Sequence, residues 1–313
     1  MNTRGLKRHH IPVLADKIIE LLDIQENDVV IDGTLGLGGH AKRFLMELGP
    51  GGRLIGFDLD NRNLQEARKR LKRFEGRINY VNDSYERIEH YMKVLKLTEY
   101  DKVLLDLGVS SPHLDIAEYG FSFRNQGPLD MRFSQENKVT AALIVNKLPE
   151  EKLVEIFSNF GELPGSKKLA AQIVEERKKR PFVYTLDFVE RITPAIPKND
   201  LNKRLPMVFQ ALRIAVNDEL NVLKRALKKL FENMSKGGRM AIISYHSLED
   251  RIVKQFVQDL LKPPVTSMEE SMRRLHGDPL CEVITKKVLT PLKEEVDENP
   301  RSRSAKLRVI KKL

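Results

Sequence analysis

Short apolar runs alternate with amphipathic segments along the first third of the chain. The runs are rich in aliphatic and β-branched residues, which is typical of buried parallel strands. They are Val29–Asp32, Arg53–Asp58, Ile78–Val81 and Lys102–Asp106. Apolar residues recur at helical spacing in the segments around them, which are Ala15–Leu22, Ala41–Leu48 and Asn61–Phe74. This alternation of strand and helix predicts an open α/β sheet.

The middle of the chain loses its strand character and is predicted to be helical. After a polar, glycine-containing loop, four segments have helical spacing: Val139–Asn146, Glu150–Phe157, Lys167–Arg177 and Leu186–Ile192. Residues 163–204 carry ten Lys and Arg against five Asp and Glu. We predict that residues 114–205 form an inserted helical subdomain. Residues 1–113 and 206–313 then form one discontinuous α/β domain.

The α/β pattern returns in the last third of the chain. An apolar stripe predicts one long helix over Phe209–Phe231, followed by a turn at residues 236–239, the strand Met240–Ser244 and the helix Leu248–Leu261. Two later runs, Glu282–Val288 and Lys306–Ile310, contain β-branched residues. These two runs can pair as an antiparallel hairpin at the edge of the sheet.

Composition limits the class of protein. The chain has 313 residues, of which 41% are hydrophobic and 31% charged, and a net charge of +10, so it is expected to fold and to favour a polyanionic partner. No apolar run approaches the roughly 20 residues that cross a bilayer, so we expect a cytoplasmic protein without a membrane partner. The single cysteine, Cys281, excludes an internal disulfide and a four-thiolate zinc site, and no metal constellation is evident.

A glycine-rich loop follows the first predicted strand and opens a helix. Its glycines, among them Gly36 and Gly38, allow close approach of a ligand, and Asp58 after the second strand can accept both hydroxyls of a ribose. The pattern admits a nicotinamide dinucleotide or S-adenosylmethionine. Asp32 favours the second, because a carboxylate before the glycines can hold a cationic amino group but opposes a pyrophosphate.

Further candidates follow the later strands. Asp106 ends the fourth strand, so it is expected at the same sheet edge as the two earlier acids, although an acid there can also cap a turn. His246 follows the fifth strand and can face the site or pack in the core. Ser247 with Asp250 resembles a capping box for a helix that begins at Leu248.

Several segments together resemble the bacterial 16S ribosomal RNA cytosine-N4 methyltransferase family, and they run in order over nearly the whole chain. They are His10-Ile11-Pro12-Val13-Leu14, Gly36-x-Gly38-Gly39-His40, Asp106-Leu107-Gly108-Val109-Ser110-Ser111, Gly120-Phe121-Ser122-Phe123, Gly127-Pro128-Leu129-Asp130-Met131-Arg132, Phe209-Gln210-Ala211-Leu212-Arg213-Ile214, Val216-Asn217-x-Glu219-Leu220, His246-Ser247-Leu248-Glu249-Asp250-Arg251-Ile252-Val253-Lys254 and Asn299-Pro300-Arg301-x-Arg303-Ser304-Ala305-Lys306-Leu307-Arg308.

The resemblance implies a class I methyltransferase (Rossmann-like) sheet with an inserted helical domain that recognises the substrate. It implies S-adenosylmethionine as the methyl donor, and as acceptor a cytosine near the decoding centre of 16S rRNA, in the small ribosomal subunit. Carried over by position, the cofactor contacts of the family fall on Gly38, Gly39, His40, Asp58, Tyr85, Asp106 and His113. Asp32 and Gly36 join this set from the analysis of the loop.

Two cofactor contacts depart from the family pattern, since Tyr85 stands where Phe is frequent and His113 where Gln is common. Other departures cluster on the expected acceptor side: Tyr119 stands where Arg is usual, Leu163-Pro164-Gly165-Ser166 replaces a charged run, and Pro206-Met207-Val208 replaces a basic segment that contains Thr. Asp106 or the segment at Ser110 is expected to contact the acceptor amine, with His246 as a further catalytic candidate. A paralogue with a shifted target, a nicotinamide-dependent oxidoreductase and a non-catalytic RNA-binding assembly factor remain as alternatives, and the oligomeric state is open.

Overall fold

The computed structural model describes residues 12–264 and 277–313, which divide into two compact units. The first unit contains the described residues of Met1–Gly108 and Leu220–Leu313, and the second unit is Val109–Glu219. The limits expected for the insert, 114 and 205, therefore fall inside the second unit. The second unit extends further because the flanking residues Val109, Phe209 and Val216 pack in or against its core.

A single mixed sheet of seven strands organises the described part of the first unit. The strands are β1 (Val29–Asp32), β2 (Arg53–Phe57), β3 (Ile78–Val81), β4 (Tyr100–Asp106), β5 (Met234–Ser244), β6 (Cys281–Val283) and β7 (Lys306–Lys312). Their order is β3-β2-β1-β4-β5-β7-β6, with parallel pairing from β3 to β5 and antiparallel pairing of β7 with both of its neighbours. The α/β sheet and the late antiparallel pair are confirmed.

Helices cover both faces of this sheet. In chain order the helices of the whole described structure are α1 (Ala15–Leu22), α2 (Gly39–Glu47), α3 (Asn61–Arg70), α4 (Ile88–Leu95), α5 (Ser111–Asp115), α6 (Ala141–Lys147), α7 (Glu150–Asn159), α8 (Ser166–Lys179), α9 (Thr185–Ile192), α10 (Leu201–Asn217), α11 (Glu219–Glu232), α12 (Ser247–Leu261) and α13 (Lys293–Glu298). A hydrophobic core lies on each face of the sheet, and successive residues of β4 alternate between the two. Val103 and Leu105 pack in one core and Leu104 packs in the other. None of the described helices is both long and apolar enough to span a membrane.

The parallel strands place their carboxyl ends at one edge of the sheet. The order of the strands reverses at β1, which lies between β2 and β4. In open α/β sheets, ligands bind outside the carboxyl ends of the strands at such a switch point. Asp32 and Asp106 end β1 and β4, and Asp58 directly follows β2. The residues that the sequence singled out therefore lie on three adjacent strand ends.

The second unit is helical around an aromatic core. It contains α5 to α10, and Phe157, Phe182 and Phe188 are among its fully buried side chains. The edge of Phe182 faces the ring of Phe188, with 5.2 Å between the ring centroids. The four helices predicted for the insert are present as α6 to α9, with ends that shift by one or two residues.

The prediction of one long helix over Phe209–Phe231 is wrong, because the helix is interrupted at Asp218, between α10 and α11. Asp218 has a φ of 51°, in the left-handed region that Asp tolerates better than most residues. The side chain of Asn217 stabilises the break: its Oδ1 accepts from Phe133 N at 2.9 Å and its Nδ2 donates to Met131 O at 2.8 Å. The apolar stripe continues across the break, so periodicity alone could not reveal it.

Strand β5 begins earlier than predicted. The expected turn at residues 236–239 lies within the strand as an irregularity, where pairing shifts between Tyr100↔Met234 and Lys102↔Arg239. Gly237 has a φ of 82°, which glycine adopts without strain. The polar stretch therefore interrupts the ladder without ending the strand.

Candidate functional site

The loop between β1 and α2 is shaped by its glycines and brings its backbone close to neighbouring side chains. Gly36 and Gly38 have φ values of 51° and 73°, and Gly38 is the N-cap of α2. A Cβ on Gly33 would lie 2.4 Å from Leu105 Cδ2 and 3.2 Å from Tyr85 Cβ. Glycine is therefore required for this close approach, and Tyr85 lies directly against the loop.

Asp32 is almost fully withdrawn from water, with 1% of its surface exposed. Burial raises its pKa to about 7, and the nearby carboxylates Asp106 and Asp58 raise it further, while His40 and the N–H of Thr34 oppose the shift. A cation placed beside this carboxyl would favour its ionised form. Asp32 is thus suited to hold an ammonium group and unsuited to a pyrophosphate.

His40 is a buried polar side chain, 7% exposed. Within residues 12–264 and 277–313, neither its Nδ1 nor its Nε2 has a hydrogen-bond partner. Its Nε2 lies 3.6 Å from Asp106 Oδ2, which is too long for a hydrogen bond. Buried polar groups are nearly always paired, so this ring is prepared for a ligand or for a small movement toward Asp106.

Asp58 fixes the glycine loop through hydrogen bonds from backbone N–H groups. Its Oδ2 accepts from Gly36 N at 2.8 Å, and its Oδ1 accepts from Asp60 N at 2.7 Å. The amide of Asn63 is 3.3 Å from Oδ2. A carboxylate is the group type that accepts hydrogen bonds from the hydroxyls of a ribose. The sequence predicted the second role and missed the first, which depends on the folded loop.

Asp106 is held from two sides at the end of β4. Its backbone N–H donates to Thr34 Oγ1 at 2.7 Å, and its Oδ1 accepts from the hydroxyl of Tyr245 at 2.7 Å. Burial, together with the charge of Asp106, holds the pKa of Tyr245 well above its ordinary value, so the phenol stays a neutral donor. The carboxylate is oriented by Tyr245 and keeps 18% of its side chain exposed.

Sequence reasoning did not assign a functional role to Tyr245. The residue follows β5 in the same way that Asp58 follows β2. Its position directly after the next parallel strand was the available signal, since the carboxyl ends of all these strands lie at one edge.

His246 caps helix α12. Its Nδ1 accepts from Glu249 N at 3.3 Å, and Glu249 Oε2 accepts in return from His246 N at 3.3 Å. The capping box is thus formed by His246 and Glu249, and the one predicted from Ser247 and Asp250 is wrong by one residue. The structure places His246 beside Tyr245 as a helix cap, and its catalytic role stays a prediction.

Ser110 and His113 belong to the second unit. Ser110 is the N-cap of α5, and its Oγ lies 2.9 Å from Nδ1 of His113. The ring of His113 is buried, with its centroid about 5 Å from those of Tyr119, Phe121 and Phe133. Their carried-over roles at cofactor and acceptor remain predictions.

The edge of the first unit offers the groups that S-adenosylmethionine needs. A buried carboxyl can hold its amino group, a second carboxylate can hold its ribose, and a glycine-shaped loop lies between them. The ring of His40 has no hydrogen-bond partner in the part of the chain that the structure describes, so it can also bond to a ligand at this edge. Among residues 12–264 and 277–313, no group of three or more His, Cys, Asp or Glu side chains could hold a metal ion.

Sequence similarity to known proteins extends over nearly the whole chain. The MraW methylase family profile matches residues 7–313. The protein named ribosomal RNA small subunit methyltransferase H of Dictyoglomus thermophilum is 44% identical over 301 residues, which cover 96% of this chain and 95% of that protein. Its namesake from Clostridium botulinum strain Loch Maree is 42% identical over 306 residues, covering 97% and 99%. An rRNA methylase structure from Streptococcus thermophilus is 13% identical, with a TM-score of 0.42 over 96% of this chain and 93% of that one.

Proposed function

The chain belongs to the MraW methylase family, with S-adenosylmethionine as its cofactor, and from that premise we propose that it methylates the exocyclic N4 of a cytosine in small-subunit ribosomal RNA. The names of the relatives at 42–44% identity support the small-subunit RNA as acceptor. The base and the atom come from the resemblance of the motifs to the cytosine-N4 family. A substrate in the small ribosomal subunit implies a cytoplasmic protein.

The sheet is that of a class I methyltransferase, as the resemblance implied. Strand β7 lies between β5 and β6 and runs antiparallel to both. A dinucleotide-binding sheet has the order 3-2-1-4-5-6 and no such inserted strand. Together with membership of a methylase family, this order contradicts the nicotinamide-dependent alternative.

The residues at the strand ends divide the binding of the cofactor between them. Asp32 would hold the amino group of the cofactor and Asp58 its ribose. The backbone of the loop at Gly36, Gly38 and Gly39 would lie close to the cofactor. Tyr85, which lies against this loop, would contact the adenine. When bound, S-adenosylmethionine supplies an electrophilic methyl group on a positively charged sulfur. His40 completes this set, and His113 joins it only by the resemblance.

The observation that carries the proposal is the oriented carboxylate of Asp106. The amine of cytosine is a poor nucleophile, because its lone pair is delocalised into the ring. A carboxylate that accepts a hydrogen bond from the amine localises that lone pair and takes up the proton that leaves as the new N–C bond forms. Tyr245 keeps Asp106 in one orientation for this task. Ser110 and His246 are the remaining candidates for contact with the acceptor.

The only cysteine is unsuited to the alternative chemistry at cytosine C5. Methylation of C5 uses a thiolate nucleophile, whereas Cys281 is buried in β6. Burial raises the pKa of this thiol to about 11, so it stays protonated at neutral pH. A reaction at the exocyclic amine needs no covalent enzyme intermediate and therefore no such thiol.

The basic helical unit is proposed to hold the RNA around the target. Residues 163–204 carry an excess of five positive charges, which can contact the phosphates that flank an unstacked base. The target base itself must leave its stack to reach the strand ends.

Methyl transfer to purified small ribosomal subunits tests the proposal. Subunits from a strain that lacks this protein are incubated with labelled S-adenosylmethionine, and the labelled nucleoside is identified by mass fragmentation. We expect one labelled N4-methylcytidine per subunit, and no label with the Asp106→Ala variant. Label on another nucleoside would indicate a different target, and no label above background would favour a non-catalytic assembly factor.

A further inference from the structure

A groove with a volume of about 570 Å³ opens on the surface of the second unit. Its lining includes Arg180, Val183, Tyr184, Leu186, Asp187 and Glu190. Val183, Tyr184 and Leu186 are exposed apolar side chains, and Tyr184 is 50% exposed. Among the residues that the structure describes, Tyr184 is the only exposed aromatic residue. Clustered exposure of this kind marks interaction sites more often than isolated apolar residues do.

The backbone under Tyr184 is fixed on both sides. Leu129 N donates to Val183 O at 2.8 Å, and Thr185 N donates to Gly127 O at 2.9 Å. The hydroxyl of the buried Thr185 also donates to Asn125 O at 2.6 Å. The ring is therefore presented to solvent from a rigid segment, and little backbone freedom is lost when a ligand covers it.

A stretch of three basic residues ends at Arg180, which lines the groove. The end of α8 and the residue after it carry Lys178, Lys179 and Arg180, whose side chains are 63–71% exposed and pair at the surface with Glu175, Glu176 and Asp187. Exposed pairs of this kind are weak, so these cations can exchange their partners for phosphates. Asp187, which lines the groove, is paired with both Arg180 and Arg191, so its charge is compensated. Glu190 is left as an exposed carboxylate on the wall, and a carboxylate accepts hydrogen bonds from the amino groups of bases.

We propose that this groove binds an unpaired nucleotide of the substrate RNA, with the base stacked on Tyr184 and the backbone along Lys178, Lys179 and Arg180. Proteins that bind single strands combine an aromatic platform with a basic track in this way. The inference rests on the proposed function, because an unstacked target leaves neighbouring nucleotides unpaired. The excess of five positive charges over residues 163–204, which include this groove wall, favours RNA over an apolar peptide segment as the occupant.

Fluorescence at position 184 tests the stacking directly. The chain contains no tryptophan, so the Tyr184→Trp variant has a single indole, located in the groove. We expect a short oligouridylate to quench its emission in a saturable manner that weakens with salt. Leu143→Trp is the matched control, because Leu143 is a comparably exposed residue of the same unit outside the groove. Equal quenching at both positions, or none at 184, would overturn the proposal.

Binding of the same oligouridylate to the full chain provides the second measurement. Tyr184→Ala should weaken the affinity about tenfold, whereas Tyr184→Phe and Leu143→Ala should leave it within about twofold of the wild type. Unchanged RNA affinity with Tyr184→Ala, combined with reduced methyl transfer to intact subunits, would mean that the groove contacts a ribosomal protein, and the RNA proposal would be wrong.

Methyl transfer by the wild type separates this proposal from the proposed function. If the wild type methylates subunits while the indole at 184 is not quenched, the groove proposal fails and the methyltransferase function stands. If the indole is quenched while the wild type transfers no label, the groove stands as an RNA site and the proposed reaction fails.

Discussion

The two units of this chain present their polar chemistry in opposite ways. At the strand ends of the first unit, Asp32, His40 and Asp106 are buried or nearly so and are crowded within one polar network. In the groove of the second unit, Tyr184 and Arg180 are exposed on a rigid backbone. Buried charges suit a small ligand whose groups must be matched individually, whereas exposed rings and cations suit a long polyanion.

The comparison indicates that buried groups of the first unit determine specificity for the cofactor, whereas exposed groups of the second unit contribute affinity for a large acceptor. Desolvated carboxyls respond strongly to a single neighbouring charge, so one substitution there has a large effect. Exposed pairs on the surface, such as Lys178 with Glu175, are screened and contribute little each. Substitutions at the strand ends should therefore have larger effects than substitutions on the helices of the second unit.

The largest effect is expected from Asp106→Ala. Loss of the acceptor for the amine proton should lower the rate of methyl transfer by about 10²–10⁴-fold, the range of a positioned base. Single-turnover transfer to small subunits measures this rate, and titration with S-adenosylhomocysteine measures cofactor affinity separately. Asp259→Asn, an exposed acid on α12, is the control and should be fully active. A transfer rate within threefold of the wild type would assign the role elsewhere.

A smaller loss is expected from Asp58→Ala, and it should appear in cofactor binding. Removal of hydrogen bonds to a charged group costs about 1.5–3 kcal/mol each, so the Kd for S-adenosylmethionine should rise about 10- to 100-fold. Calorimetric titration measures the Kd. Asp16→Ala on the exposed face of α1 should leave the Kd unchanged. If Asp58→Ala binds as tightly as the wild type, the ribose assignment is wrong.

Asp32 should make cofactor binding depend on pH. The carboxyl, whose pKa is about 7 in the free protein, must be ionised to hold an ammonium group. The affinity should therefore fall as the pH decreases below about 7, by up to about tenfold per unit, and stay level above it. Asp32→Asn should weaken binding at pH 8 and remove this dependence. A dependence that persists in Asp32→Asn would show that this carboxyl is not its cause.

The same carboxyl should cost stability in the absence of cofactor. Its pKa is raised on folding, so the folded state binds more protons than the unfolded state between about pH 4 and 7, and the free energy of unfolding falls as the pH rises through that window. Asp32→Asn should therefore raise the melting temperature at pH 8, with the gain shrinking toward pH 4. A gain independent of pH would exclude the titration as its cause.

The smallest effect is expected from Thr140→Ala in the second unit. Thr140 caps α6, since its hydroxyl accepts from Leu143 N at 3.1 Å. Loss of an N-cap costs about 1 kcal/mol, which should lower the melting temperature by a few degrees. Thr140→Ser keeps the acceptor and should restore the stability. Cofactor affinity should be unchanged, and a weakened affinity would show that the two units do not respond independently.

Much of the first unit could be predicted from local patterns. When an acid follows a buried parallel strand, the sequence predicts that the acid lies at the edge where the carboxyl ends of the strands meet. Asp32, Asp58 and Asp106 were predicted in this way. The partners of these acids could not be found, because Tyr245 is 139 positions from Asp106 and meets it only through the pairing of β4 with β5. The break at Asp218 was hidden for the same reason, since Asn217 stabilises it by contacts with residues 84–86 positions away.

By itself, the sequence determined the alternation of strands and helices, the helical insert and the acids at the strand ends. These features depend on hydrophobic period and on the position of a residue relative to its own strand, which are local. Only the tertiary structure decided which residue caps α12. It also decided that, among the described residues, the ring of His40 has no hydrogen-bond partner and Tyr184 alone of the aromatic residues is exposed. Burial and pairing are set by what the rest of the chain brings alongside, and no local pattern contains that information.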